Sequence, residues 1–134
     1  MADRSWTAVA LGAEVPPPAG PYSPAVRAGD FVYVSGQVPR DPRTGELLGT
    51  TIQDQSRATL ANVRRVLAAA GATMNEVVSV TVYLVDENDW GEFNSVYKTF
   101  FDAPYPARAV VGASLRGILV EVSAVAFAPG RASP

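Results

Sequence analysis

A chain of 134 residues with a net charge of −2 and no run of Lys or Arg gives no electrostatic reason to expect a nucleic-acid partner. It contains no Cys and no His, which excludes disulfides, thiolate nucleophiles, Cys-ligated metals and histidine general bases. A Schiff-base mechanism would have to use Lys98, because the chain holds no other lysine. Any chemistry must otherwise come from arginine, carboxylates, hydroxyl groups, the backbone and water.

The length fits a single domain over residues 1–134, with a core over about 21–128. The Pro/Gly-rich stretch "PPPAGP" predicts that residues 1–20 form an extended lead-in. The sequence has no run of about 18 apolar residues, and its beginning lacks the basic flank, apolar run and cleavage site of a signal peptide. We therefore expect a cytoplasmic protein without a membrane span.

The first half of the chain predicts a hairpin followed by a helix. In "AVRAGDFVYVSGQV" a short strand ends near Arg27, a turn occupies 28–30 and a second strand covers 31–35. Apolar side chains then recur at spacings of three and four over 51–70, which predicts a helix that Gly71 ends.

The next segment predicts a strand and a second helix. The β-branched run "VVSVTVYLV" (77–85) is typical of a central strand. In "DENDWGEFNSVYKTFF" (86–101) the apolar side chains form one helical stripe, and either Asp86 or Asn88 can cap its beginning.

Two final strands, 107–112 and 119–127, complete the order β-β-α-β-α-β-β. This order predicts an α+β domain, with a mixed sheet and both helices on one face. The other face is rich in Val, Tyr and Ala. We expect an oligomer to cover it, because water is a poor neighbour for such a surface.

Each of these two strands carries one charged side chain, Arg108 in "PARAVVG" and Glu121 in "VEVSAVAF". If the strands pair through the short connection between them, the two side chains lie near each other. The guanidinium of Arg108 fits a carboxylate bidentately. That carboxylate belongs either to Glu121, in a structural ion pair, or to a ligand.

Other polar positions also have structural interpretations. Tyr22 in "GPYSPA" is consistent with an aromatic residue that fills the core beside a turn, and Ser35 and Gln37 with strand-end residues that make turn hydrogen bonds. Asn94 fits a solvated or capping amide, and Lys98 a helix-surface residue. Taken singly, none of these residues identifies a function.

Taken together, several segments resemble the RidA family, the reactive-intermediate imine/enamine deaminases also called YjgF proteins or L-PSP endoribonucleases. The resemblance covers residues 16–128, and its most specific marker is a Pro-Ala-Arg segment followed by a strand Glu. The matching segments occur in the family's order: "GPYSPAV", "VYVSGQVPRDPRTGEL", "QSRATLANVRRVLAAAG", "VVSVTVYLVDENDWGEFNSVY" and "YPARAVV…VEVSAVA".

The resemblance implies a chorismate-mutase-like (ferredoxin-like) fold and a homotrimer with active sites in the clefts between subunits. It implies that Arg108 binds the substrate carboxylate and that Glu121 positions or activates water. It further implies substrate-binding roles for Tyr22, Ser35 and Asn94.

The implied activity is the hydrolytic deamination of small 2-enamine and 2-imine acids, such as 2-aminoacrylate, to 2-keto acids and ammonia. No metal or cofactor is required, because imines already hydrolyse in water and orientation plus electrostatic stabilisation supply the rest. One alternative is a module on the same fold that binds a small carboxylate without turnover. Another is an endoribonuclease, which the pI of about 5.0 and the missing His disfavour.

The sequence departs from the family pattern at three places. Val110 stands where many members carry a pocket Cys, and we expect it to contribute to substrate binding and to alter the substrate range. Ser123 replaces the second acid of the family's E-x-E strand. The connection over 115–121 is shorter than usual, which could reshape one wall of the pocket.

Overall fold

The computed structural model describes residues 3–130 as one sheet of six strands with two helices packed on one of its faces. This confirms the predicted α+β class and the mixed sheet. No helix in the described part of the chain is long and apolar enough to cross a membrane. The strands are β1 (Thr7–Val9), β2 (Ala25–Ala28), β3 (Phe31–Gln37), β4 (Val77–Leu84), β5 (Ala107–Gly112) and β6 (Val120–Phe127), and the helices are α1 (Ile52–Ala69) and α2 (Trp90–Tyr97).

The strand order across the sheet is β1-β2-β3-β6-β4-β5. Only β4 and β5 run parallel; the other neighbouring pairs are antiparallel. Parallel neighbours need a crossover connection, which α2 supplies, and β5 is thereby placed at the edge of the sheet. The expected pairing of the last two strands is therefore wrong, because β4 lies between β5 and β6.

A strand that the sequence did not predict lies within the N-terminal lead-in. β1 pairs with β2 from Thr7 opposite Arg27 to Val9 opposite Ala25. Val9 is buried in the core, which fixes this short segment against the sheet. Three residues are too few to show a periodic pattern in the sequence, so the strand has no signal of its own.

Helix α1 agrees with its sequence prediction to within one residue at each end. The hydroxyl of Thr51 accepts a hydrogen bond from the backbone N–H of Asp54 at 3.1 Å and so caps the beginning of the helix. At the other end Gly71 has φ +79°, a left-handed conformation that glycine adopts without strain. The buried stripe that packs on the sheet includes Leu60, Val63 and Leu67.

Helix α2 is shorter than the sequence predicted. A single 3₁₀ turn, Glu87–Asp89, precedes it, and the Asp86 carboxylate accepts from the Asn88 N–H at 2.9 Å. After Tyr97 the chain continues in turns, with the Phe100 N–H donating to the Tyr97 carbonyl at 2.9 Å. The apolar spacing persists through these turns, which explains why the sequence pattern overestimates the helix length.

The face of the sheet opposite the helices carries an exposed aromatic patch. Phe31, Tyr33 and Phe127 are 40%, 49% and 42% exposed. The Phe31 ring lies 5.2 Å from that of Phe127 and 6.5 Å from that of Tyr33, between ring centroids. Exposed apolar patches of this kind are typical of interaction surfaces, and the expectation that an oligomer covers this face stays a prediction.

A buried arginine joins the end of α1 to the end of β6. Arg27 is 6% exposed, and its guanidinium donates to the Ala70 carbonyl at 2.9 Å and to the Ala128 carbonyl at 3.1 Å. A cation at the C-terminus of a helix also interacts favourably with the helix dipole. Arg27 therefore fixes the helix layer relative to the sheet.

We predict that Arg27→Met lowers the free energy of unfolding by about 2–4 kcal/mol, because it leaves two buried carbonyl groups without donors. Equilibrium urea unfolding measures the change. Arg57→Met is the matched control, since Arg57 is an exposed α1 cation paired with Asp54 and should contribute less than about 1 kcal/mol. Equal losses in the two variants would contradict the structural role of Arg27.

Candidate functional site

A cavity of about 340 Å³ opens between the end of α2 and strand β5. Asn94, Tyr97 and Lys98 reach it from the same side of α2, because residues three and four apart lie on one face of a helix. Arg108 reaches it from β5, on the face of the sheet that the helices cover. The complete lining is Asn94, Tyr97, Lys98, Tyr105, Pro106 and Arg108.

The guanidinium of Arg108 is held by an aromatic ring and by no anion. Its central carbon lies 4.7 Å from the ring centroid of Tyr97, a cation–π distance. Among residues 3–130 it has no hydrogen-bond or ion-pair partner. A half-buried arginine with five unused N–H donors is suited to binding a carboxylate from outside the chain.

Two residues that line this cavity have a buried polar atom without a partner in the described chain. The Asn94 Oδ1 and the Tyr97 hydroxyl are both buried, and neither makes a hydrogen bond there. Buried polar atoms without partners are uncommon, and here two of them belong to residues that share a cavity with Arg108. The interpretation of Asn94 as a solvated or capping amide is therefore wrong, and the cavity has the polar groups of a binding site.

Tyr97 keeps its proton at neutral pH. Its ring contacts those of Phe93 and Phe101 in tilted arrangements, at centroid distances of 5.6 and 4.5 Å. Burial raises the pKa of the Tyr97 phenol above its usual value, and the nearby Arg108 cation offsets only part of this rise. The hydroxyl thus remains available as a hydrogen-bond donor.

Three other predicted site residues lie around an irregularity in β3. They are Tyr22, Ser35 and Glu121, and we call these three residues the bulge group. The register of β3 against β6 shifts between Val34 and Gln37. The Ser35 hydroxyl donates to the Ser23 carbonyl at 2.6 Å, which ties the segment after Tyr22 to the bulge. Tyr22 itself is 57% exposed, so its interpretation as a core-filling residue is wrong.

Glu121 lies directly against the backbone of Gly36 in this bulge. A Cβ atom built on Gly36 would overlap the Glu121 carboxylate and would lie 2.9 Å from its Cδ. Any side chain at position 36 would therefore displace the carboxylate. The absence of a side chain at Gly36 determines where the carboxylate of Glu121 can lie.

Arg108 and Glu121 lie on opposite faces of the sheet. Arg108 is in register with Val80 of β4, which is buried under the helices. Glu121 is in register with Tyr83, and strand alternation places both on the uncovered face. Strand β4 separates them as well, so a structural ion pair between Arg108 and Glu121 within one chain is excluded.

The remaining predicted site residue, Val110, lies on the same face as Arg108 but borders a different space. It lines a neighbouring cavity of about 130 Å³ with Leu84 and Trp90. Asn94 and Arg108 thus share a cavity within one chain, whereas Val110 lies beside it. The bulge group lies apart from both.

Sequence reasoning missed four of the residues that line the Arg108 cavity: Tyr97, Lys98, Tyr105 and Pro106. The sequence pattern places Tyr97 on the apolar stripe of 86–101 and Lys98 on the helix surface, where Lys98 is considered only as a possible Schiff-base residue. Their spacing of three and four from Asn94 is the signal that could have identified both. Within the described chain no group of three or more acidic, His or Cys side chains could hold a metal ion.

The family model described as Endoribonuclease L-PSP matches residues 12–128. A RutC family protein from Pyrococcus horikoshii is 45% identical over 114 residues, covering 84% of this chain and 90% of its own. The 2-iminobutanoate/2-iminopropanoate deaminase of Mus musculus is 43% identical over 115 residues, covering 84% and 85%. The crystal structure of Escherichia coli TdcF with bound serine superposes with a TM-score of 0.81 at 36% identity, covering 90% and 98%.

We predict that Gly36→Ala moves the Glu121 carboxylate away from the bulge with little loss of stability. The new methyl group meets only the far end of a flexible side chain, and the backbone of Gly36 lies outside the left-handed region. A crystal structure of the variant should show the carboxylate shifted by about 1 Å or more, with the free energy of unfolding changed by less than about 1 kcal/mol.

Gly91→Ala is the control for this substitution. A Cβ there meets nothing within 4 Å, and alanine in a helix should stabilise the protein by about 0.5–1 kcal/mol. An unmoved Glu121 carboxylate in Gly36→Ala would show that Gly36 does not determine its position.

Proposed function

The chain belongs to the endoribonuclease L-PSP family, also called the RidA family, and on that premise we propose that it hydrolyses small 2-imino acids to 2-keto acids and ammonia. The observation that carries the proposal is the free guanidinium of Arg108 in a cavity of about 340 Å³, a size suited to a small organic acid. Two relatives support it: the mouse protein is named a 2-iminobutanoate/2-iminopropanoate deaminase, and the E. coli structure holds serine, a small carboxylate.

Substrate binding in this proposal begins with a bidentate pair between Arg108 and the substrate carboxylate. Stacking on Tyr97 fixes the plane of the guanidinium, so little side-chain entropy is lost on binding. The unpartnered Asn94 amide oxygen accepts from the imine nitrogen or from water, and the Tyr97 hydroxyl donates to a substrate oxygen.

In this proposal Glu121 orients and activates the attacking water. Its carboxylate accepts a hydrogen bond from the water, whose oxygen adds to the imine carbon. One proton of the water passes to the substrate nitrogen, which gives a carbinolamine. The proton of the new hydroxyl group then also passes to the nitrogen, the C–N bond breaks, and ammonia leaves as the ketone forms. Every atom of the products comes from substrate and water, so the reaction needs no oxidant, metal or cofactor.

The proposed site requires more than one copy of the chain. Arg108 and Glu121 lie on opposite faces of the sheet, so the bulge group of one subunit must complete the cavity of another. The aromatic patch of Phe31, Tyr33 and Phe127 offers an apolar surface for such an assembly. Repeated contacts between two different surfaces of the same chain form a ring when the rotation between copies closes, and we propose a homotrimer.

We predict that the wild-type protein accelerates the decay of 2-iminobutanoate. Arg108→Ala should lower kcat/KM about 10–100-fold, because it removes one bidentate charge-assisted interaction with the substrate. An amino-acid oxidase generates the imine in situ, and semicarbazide traps what remains. Arg57→Ala is the control, because Arg57 is a surface cation outside the cavity and its loss should leave the rate unchanged.

Two other outcomes would each contradict the proposal and support a different function. Imine decay at the solvent rate, together with 2-keto acid binding that Arg108→Ala abolishes, would identify a carboxylate-binding module without turnover. RNA cleavage that copurifies with the protein and survives Arg108→Ala would identify an endoribonuclease, the activity in the family's description.

We predict that a mixture of the impaired variants Arg108→Ala and Glu121→Gln, unfolded together and refolded, is more active than either variant refolded alone. If each site takes Arg108 from one subunit and Glu121 from the next, random assembly gives about one quarter of the sites both native residues. Light scattering should report a trimer for both variants and for the mixture. A mixture as inactive as its components would place both residues of each site in one subunit.

A further inference from the structure

The cavity around Arg108 carries two cations and no carboxylate. Of its six lining residues, Lys98 and Arg108 are charged, and the others are one amide, two phenols and a proline. This local excess of positive charge occurs in a chain with a net charge of −2. A single substrate carboxylate bound to Arg108 would leave the charge of Lys98 uncompensated.

Lys98 is placed at this cavity by the end of α2. Its backbone N–H donates to the Asn94 carbonyl at 3.1 Å, so the residue caps the last turn of the helix. Its side chain is exposed and has no acidic partner among the residues that the structure describes. A lysine at the end of a helix is commonly a solvated surface residue, but this one borders the same space as a free arginine.

Both cations border the same cavity of about 340 Å³, so one small molecule in it can contact both. Arg108 lies over the Tyr97 ring, and Lys98 follows Tyr97 at the end of α2. The guanidinium is held by stacking, whereas the ammonium moves on a flexible four-carbon stem. Lys98 can therefore follow a second anionic group over a range of distances.

From this arrangement we infer that the site selects ligands with a second carboxylate, namely the 2-imino and 2-keto dicarboxylic acids derived from acidic amino acids. Arg108 binds the carboxylate next to the imine or ketone carbon. Lys98 binds the distal carboxylate, and Tyr105 and Pro106 border the space between α2 and β5. The inference deepens the proposed function and rests on it for the reaction, but the charge preference itself concerns binding.

The first test measures binding without turnover. Calorimetric titrations of 2-ketoglutarate and 2-ketobutyrate are compared on wild type and Lys98→Gln, a neutral variant that keeps a polar side chain. We expect wild type to bind 2-ketoglutarate roughly three- to tenfold more tightly, the size of one partly exposed charge pair. Lys98→Gln should abolish this preference, because it weakens the binding of 2-ketoglutarate more than that of 2-ketobutyrate.

Controls separate the site from general electrostatics. Arg57→Gln removes the same charge outside the cavity and should keep the preference for 2-ketoglutarate. Lys98→Glu should reverse it. Light scattering on each variant must give the wild-type mass. A preference that persists in Lys98→Gln, or that vanishes equally in Arg57→Gln, would overturn the assignment.

Stronger competition by inorganic phosphate than by 2-ketoglutarate would also overturn it, in favour of a phosphate-bearing ligand.

The second test adds turnover, with imines of glutamate and of 2-aminobutanoate generated by amino-acid oxidases. We expect a Lys98-dependent advantage for the glutamate imine in kcat/KM. If neither imine decays faster than in solvent while Lys98 still determines the binding preference, the proposed function fails and the assigned ligand class stands. If both imines decay faster but equally in wild type and Lys98→Gln, the proposed function stands and the ligand class is overturned.

Discussion

The parallel pairing of β4 with β5 determines where the charged side chains of the sheet lie. It forces a crossover through α2, which covers β5 and brings Asn94 above Arg108. It also leaves β4 free to pair with β6 on its other side, so Glu121 lies one strand further away and on the opposite face. A hairpin between the last two strands would have placed Arg108 and Glu121 on neighbouring strands of one chain, whereas β4 separates them.

Each half of the proposed site is held by a feature that has no charge of its own. Arg108 is oriented by the Tyr97 ring, which is itself fixed between two phenylalanines. Glu121 is positioned by the space that the missing side chain of Gly36 leaves in the β3 bulge. Since neither charge has an ion-pair partner among residues 3–130, an ion pair in that part of the chain does not weaken the attraction of either charge to a ligand.

The sequence predicted the elements well, because most of them are long enough to show a period. Helix α1 and strands β4, β5 and β6 agree to within about a residue at each end, whereas β1 is too short to be seen and α2 is overestimated where turns repeat its spacing. The sequence pattern did not predict the strand pairing, because the order of the strands along the chain does not show that β6 lies between β3 and β4 in the sheet. For the site, resemblance supplied Arg108 and Asn94. Tyr97 was missed because a buried aromatic on an apolar stripe gives no sign that its hydroxyl is unpartnered.

Because the chain has no His and no Cys, substrate binding and catalysis at the proposed site would depend on other residues. In the proposed reaction, the carboxylate that Arg108 would bind is present in the imine, in the transition state and in the keto acid product, so this interaction would be nearly uniform along the reaction. Uniform binding lowers KM and slows product release if it is too strong. A half-buried guanidinium, weaker than a fully desolvated one, suits that requirement. The rate of the chemical step would then depend on Glu121, whose interaction with the developing charge begins only when water adds to the imine. On this basis we expect Glu121 to affect mainly kcat and Arg108 mainly substrate binding.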